Sequence, residues 1–216
     1  MKGKLIIFEG PDFCGKSTQI KLLKADLKVN NVLYTREPGS LLPESTYFCE
    51  ELRNKILTSD LSVEEEAKLF AEARLEHTKE MIYYMNQGFN ILCDRYIVSS
   101  FAYQAYAQNL GKQAIYDLNK ETIDLLESNN HSIYCLCFNI DEDNWQQRKY
   151  SRLETESADS IESKNIHDKV YDFYMNPAIY YDYTDKLNMF TRVIDANGAP
   201  YEINKEVAQV VRTLIK

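Results

Sequence analysis

Apolar residues along this chain fall into two alternating arrangements: short, mainly apolar runs, and longer stretches in which they return every three or four positions. The runs lie at 4–8, 32–35, 89–93, 133–138 and 189–194. Runs of this length, rich in Ile, Leu, Val, Phe and Cys, predict strands. Between them the helical period predicts helices at about 16–29, 46–58, 63–87, 98–108, 112–128 and 166–187, with a last one near 203–215. Strands alternating with helices imply an α/β fold, a five-stranded parallel sheet with helices on both faces. No repeat, low-complexity tract or Pro/Gly/Ser-rich linker divides the chain, so residues 1–216 are read as a single domain. One segment departs from the pattern. Residues 141–165 are poor in apolar side chains and crowded with charge, Ser and Thr, which suits an exposed, mobile flap.

The first strand runs into Gly10-Pro11-Asp12-Phe13-Cys14-Gly15-Lys16-Ser17-Thr18, and a helical pattern begins at once behind it. This is G-x-x-x-x-G-K-[ST], a phosphate-binding loop. Backbone N–H groups from Gly10 to Thr18 wrap a polyphosphate, Lys16 reaches its β and γ phosphates, and the Ser17 hydroxyl is placed to ligate Mg²⁺. The helix behind the loop adds its N-terminus to the same anion.

The net charge of -8 gives little support for a nucleic-acid or anionic-membrane partner, since both require basic surface. Small anions held in a locally basic pocket are compatible with it. The opening Met1-Lys2-Gly3-Lys4 leads into a run too short for a signal peptide, and no apolar run approaches a membrane span, so the expectation is a soluble, intracellular, cytoplasmic protein. Five cysteines stand without a C-x-x-C pair. Cys93, Cys135 and Cys137 fall in predicted strands and read as small core residues.

In open parallel sheets ligands bind outside the carboxyl ends of the strands. The first strand is followed there by the phosphate loop, the second by Arg36-Glu37-Pro38-Gly39, the third by Asp94-Arg95-Tyr96 and the fourth by the charged flap. Arginine and lysine thus converge on one edge, as a site for several phosphates requires. Asp94, ending an apolar run, is placed like a strand-end aspartate that orients Mg²⁺.

Thr35-Arg36-Glu37-Pro38-Gly39, Leu69-Phe70-Ala71-Glu72-Ala73-Arg74 with His77, and Asp94-Arg95-Tyr96 with Ser99-Ser100 and Ala102-Tyr103-Gln104 together resemble the thymidylate kinases, P-loop nucleoside-monophosphate kinases. The resemblance spans nearly the whole chain. It implies that the protein moves the γ-phosphoryl of ATP to dTMP with Mg²⁺, and that it is a homodimer. Phe70 and Arg74, one helical turn apart, match the aromatic that stacks on thymine and the arginine at its carbonyl edge. Arg36 and Arg95 match arginines that hold the acceptor phosphate, and Ser100 and Gln104 match positions near the base edge. Tyr103 matches a ring under the sugar that excludes a 2′-hydroxyl. Asp12 matches a loop aspartate near the sugar 3′-hydroxyl or the metal shell.

The flap resembles the lid of these kinases, Asp159 and Glu162 fitting its D-x-x-E. Some members carry an arginine within the phosphate loop where this chain has Phe13. Others supply lid arginines, for which Arg148 and Arg152 are the candidates. Ser40-Leu41 replaces the usual Gly-Thr after the Arg-Glu-Pro-Gly motif. Two other readings remain open at this stage: a kinase for another pyrimidine deoxynucleotide, such as a 5-substituted dUMP, and a nucleotide-binding switch without turnover.

Overall fold

The computed structural model describes residues 2–153 and 166–216, without the side chains of 43–47, 49 and 153. Asp159 and Glu162 lie outside the described residues. Five parallel strands, β1 (Leu5–Glu9), β2 (Val32–Arg36), β3 (Asn90–Asp94), β4 (Ile133–Asn139) and β5 (Phe190–Asp195), form one sheet in the order β2-β3-β1-β4-β5. β1 is central and every residue in it is buried, which is why it reads as an unbroken apolar run closed by Glu9. Its alternation feeds two cores. Leu5 and Ile7 point into one layer, and Ile6 and Phe8 into the other.

On the second of these faces α1 (Lys16–Asp26) packs against the C-terminal α10 (Pro200–Leu214), whose apolar stripe is Ile203, Val207, Ala208 and Val211. The other face carries α3 (Val63–Asn86) with most of the remaining helices. Ser62 opens α3 through a capping box. Its hydroxyl accepts from Glu65 N–H while the Glu65 carboxylate accepts from Ser62 N–H, fixing the start of the helix that carries Phe70 and Arg74.

Several helices differ from the sequence expectation. The second, α2, begins at Pro43 and ends at Thr58. The stretch expected at 98–108 is a single turn, α4 (Ile97–Ser100), continued by a π-helix over Phe101–Ala107. The expected 112–128 helix is broken at Asn119 into α5 (Lys112–Leu118) and α6 (Lys120–Asn129). The expected 166–187 helix divides into α8 (His167–Met175) and α9 (Pro177–Thr184), because Asn176 caps the second through Ala178 N–H and Pro177 takes its first position. The largest correction concerns the charged flap. Its first half, Glu142–Leu153, is a helix, α7, anchored by Trp145, which is fully buried and stacks on Tyr171 at 4.5 Å between ring centroids.

Register brings the site together. Phe8 pairs with Asp94 and Asp94 with Arg36, so the phosphate loop, Glu37 and Arg95 leave the sheet side by side at its carboxyl edge. Cys93, Cys135 and Cys137 are buried in β3 and β4, where burial pushes each thiol up.

Candidate active site

Gly10 turns the chain out of β1 with φ 148°, and a Cβ there would meet Cys14 Sγ and the Phe138 carbonyl oxygen, each at 3.0 Å. Only glycine suits that position. Gly15 stands at the N-cap of α1 with φ 98° and makes no side-chain cap, which leaves the first-turn N–H groups of the helix to an anion. Lys16 is buried beneath the loop, its Nζ donating to the Gly10 and Pro11 carbonyls at 3.0 and 2.8 Å. Ser17 Oγ donates to Asp94 Oδ2 at 2.6 Å, so the hydroxyl and carboxylate expected to share a cation are already neighbours.

A cavity of about 770 Å³ opens from this loop. Its lining includes Asp12, Phe13, Gly15, Lys16, Ser17, Thr18, Arg36, Phe70, Arg74, Asp94, Arg95, Ser100, Tyr103, Gln104 and Arg152, which is nearly the whole set chosen from sequence. Eight lysines and arginines but only four carboxylates line it, so the cavity is basic within an acidic chain. Arg53 of α2, with Lys21 and Lys24 of α1, belongs to that basic wall and was not singled out from sequence.

Gly39 makes a close turn beside this wall. A Cβ on it would lie 2.1 Å from the Arg36 carbonyl oxygen, so the last residue of the Arg-Glu-Pro-Gly motif has to be glycine. The Glu37–Pro38 peptide is cis. Arg36 itself pairs with Glu50 at 3.1 Å on the exposed side of the cavity. Beyond the motif, Ser40 Oγ and the Leu41 and Leu42 N–H groups all donate to the buried Glu80 of α3. That contact anchors the altered connection to α2.

At the far end of the cavity Arg74 is buried and fully oriented. Its Nε donates to Glu37 Oε2 at 2.7 Å, Nη1 to Asn119 Oδ1 at 2.7 Å and Nη2 to Ser100 Oγ at 3.0 Å. Behind Glu37 stands His77, whose Nε2 pairs with Thr35 Oγ1 at 2.8 Å and whose Nδ1 lies 3.7 Å from Glu37 Oε1. Gln104, on the π-helix, is buried against Glu66, and its Oε1 has no hydrogen-bond partner among the described residues.

Between the two ends sits a charged cluster. Arg95, a non-glycine residue at φ 66°, pairs with Asp12, and its Nη1 donates to Ser99 Oγ at 3.1 Å; Tyr103 Oη also donates to Asp12. His167, at the start of α8, brings Nδ1 to 3.4 Å from the same carboxylate. Burial acts to raise the Asp12 carboxyl, but Arg95, His167, Lys16 and Tyr103 together hold it far below the usual carboxylate range. Glu9 shifts the other way. Burial pushes its carboxyl up, and Arg95 with the hydrogen bonds from Tyr174, Ser99 and Tyr96 N–H offsets this only in part.

The two arginines of α7 are held differently. Arg152 lines the cavity with its guanidinium 5.9 Å from the centre of the Phe13 ring. Arg148 is held outside the lining by three backbone carbonyls, those of Cys14 at 3.2 Å, Ala196 at 2.8 Å and Gly198 at 3.3 Å. Trp145 Nε1 donates to the Asp12 carbonyl at 2.8 Å, so α7 clasps the back of the phosphate loop.

A phosphate loop opening into one basic cavity that also takes in Phe70, Arg74 and Gln104, on a parallel sheet of this order, defines a P-loop α/β protein of the nucleoside-monophosphate-kinase type. The "Thymidylate kinase" family model matches residues 8–194. A thymidylate kinase of Staphylococcus epidermidis is 33% identical over 214 residues, 98% of this chain and 97% of that protein. One from Ureaplasma parvum is 29% identical over 222 residues, covering 100% and 92% of the two chains. In fold, a solved thymidylate kinase structure from Candida albicans superposes with a TM-score of 0.66 at 23% identity, covering 98% of this chain and 92% of that one. This chain belongs to the thymidylate kinase family.

Proposed function

We propose that the protein transfers the γ-phosphoryl group of ATP to dTMP, giving ADP and dTDP in the synthesis of dTTP. The observation that carries this reading is the cavity that joins the phosphate loop to Phe70, Arg74 and Gln104, where the buried Gln104 Oε1 has no hydrogen-bond partner among the described residues. A phosphate oxygen of dTMP attacks the γ-phosphorus, the new P–O bond forms as the bond to the β-phosphate oxygen breaks, and ADP leaves. The protein contributes positioning and charge.

In this reading the backbone from Gly10 to Thr18 and the N-terminus of α1 bind the donor phosphates, and Lys16 balances the charge that moves to the β–γ bridge. Arg36 and Arg95 hold the acceptor phosphate. Asp12 and Tyr103 fix the Arg95 guanidinium, and the Tyr103 ring lies under the sugar where a 2′-hydroxyl would clash. Phe70 stacks on thymine while Arg74, oriented by Glu37, Asn119 and Ser100, donates to its carbonyl edge. Arg152 reaches the donor phosphates from α7, and Arg148 braces the loop through the Cys14 carbonyl. Of the two arginines expected to supply at least one charge to the donor phosphates, Arg152, which lines the cavity, is the one this reading assigns there.

The Ser17 hydroxyl and Asp94 carboxylate, 2.6 Å apart, are hard oxygen donors that suit Mg²⁺, which takes one or two protein ligands and completes its shell with phosphate oxygens and water. When bound it neutralises charge on the β and γ phosphates. The reading includes a homodimer, as the family resemblance implies, and a cytoplasmic location. Among the described residues no helix is long and apolar enough to cross a membrane.

ADP release measured across a panel of nucleoside monophosphates tests the proposal. It predicts dTMP as the preferred acceptor. Equal use of 5-substituted dUMP would widen the substrate class, and nucleotide binding without turnover would make the protein a switch.

A further inference from the structure

Gln104 has a fixed partner on one side only. Its Nε2 donates to Glu66 Oε1 at 2.7 Å, and Gln108 Nε2 donates to the same oxygen at 3.2 Å. Glu66 and Gln104 are both buried, at 1% and 2% exposure. A carboxylate accepts hydrogen bonds and cannot give one. Of the two ways the Gln104 amide could be turned, one bonds to Glu66, and the other sets two acceptor oxygens against each other where water cannot relieve them. Gln104 Oε1 is therefore left facing elsewhere, unpaired among the described residues, on a side chain that lines the cavity.

We propose that Glu66 is a positioning residue for base choice: by pinning the Gln104 amide it makes that wall of the pocket an acceptor, so the site takes a pyrimidine whose N3 carries a hydrogen and rejects one whose N3 is a bare acceptor. Glu66, Phe70 and Arg74 stand four residues apart on α3 and share one face of that helix. Three of the five guanidinium N–H groups of Arg74 are used by Glu37, Asn119 and Ser100, and two are left to donate to a carbonyl at C4. The pocket then offers a donor and an acceptor in the order that thymine and uracil require and cytosine reverses. The inference rests on the dTMP reading and extends it to a residue that does not touch the base.

The test compares dTMP with dCMP, and with dTMP methylated at N3, on the native enzyme and on Glu66→Gln. A Gln at 66 can donate as well as accept, so it frees the Gln104 amide to turn. The ratio of kcat/KM for dTMP over dCMP should fall about tenfold, mainly through the KM for dTMP. The native enzyme should bind N3-methyl-dTMP at least about tenfold more weakly than dTMP, a readout that needs no variant and stands even if Glu66→Gln fails to fold. A purely structural role for Glu66 would depress both substrates and leave their ratio unchanged. An unchanged ratio in the folded variant, or equal native affinity for the N3-methyl analogue, overturns the proposal. Turnover of dTMP with an unchanged ratio removes the Glu66 role alone, whereas no dTMP turnover by the native enzyme removes the functional reading with it.

Discussion

Arg74→Ala should cost the protein its stability as well as its substrate. The Arg74 and Glu37 side chains are 2% and 4% exposed, and the 2.7 Å bond between them is the only ion pair with an arginine or lysine shown for Glu37 among the described residues. Truncation strands the Glu37 carboxylate in the interior and unpairs Asn119 Oδ1 from its guanidinium donor. Breaking one side of a buried ion pair typically costs about 3–5 kcal/mol, because the remaining charge is desolvated without compensation. At roughly 2–4 °C per kcal/mol for a chain of this size, Tm should fall by about 6–20 °C. The KM for dTMP should rise by the ~1–3 kcal/mol of a charged hydrogen bond. Thermal and urea unfolding of native, Arg74→Ala, Glu37→Gln and the double variant separate the two effects. Glu37→Gln removes the stranded charge, so the double variant should be more stable than Arg74→Ala by at least ~1 kcal/mol. A drop in Tm under about 2 °C for Arg74→Ala, or no recovery in the double variant, would refute the argument that this pair holds the pocket together.

Three further outcomes follow from the same geometry. Arg152→Ala should lower kcat at saturating ATP and dTMP by at least about tenfold, and Arg148→Ala should act mainly on the KM for ATP; a double variant within a few-fold of native would show that α7 carries no catalytic arginine. Tyr103→Phe should keep the preference for dTMP over its ribonucleotide counterpart, since the ring supplies the bulk, and equal native turnover of both sugars would remove that role. Asp12 is held low in the folded protein, so its contribution is full above the unfolded carboxyl's pKa of about 3.9 and is lost as pH falls toward the native value. The Tm difference between native and Asp12→Asn should therefore shrink between neutral pH and about pH 2.5, and a constant difference would contradict it.

The strands and the phosphate loop were legible because their signals are local: short, mainly apolar runs, and a loop whose glycines and lysine stand in fixed spacing. The division at Asn176-Pro177 was written in the chain as a cap followed by a first-position proline, but the apolar period runs on across it since both helices bury against one core. α7 was missed because its composition is dominated by solvated side chains. Its signals were Asp141, which caps Asn144 N–H, and a lone Trp145, whose burial is decided by Tyr171 from a distant helix. Glu37, Glu66, Glu80 and Asn119 could not be read as buried, since charged and amide side chains ordinarily face water; only tertiary partners reveal that each one orients another residue. Arg148 and Arg152 share helical spacing, yet the carbonyls that hold Arg148 come from two loops that no spacing rule connects.

Transfer of label from [γ-³²P]ATP to dTMP in the presence of Mg²⁺, with the product separated by chromatography and Lys16→Ala run beside the native protein, tests the central claim most directly. The account predicts labelled dTDP from the native protein and a loss of at least about a hundredfold in the variant, assayed below its own Tm so that it is folded. Label that remains in ATP or appears only as inorganic phosphate with the native protein, or native-like transfer by Lys16→Ala, would contradict it.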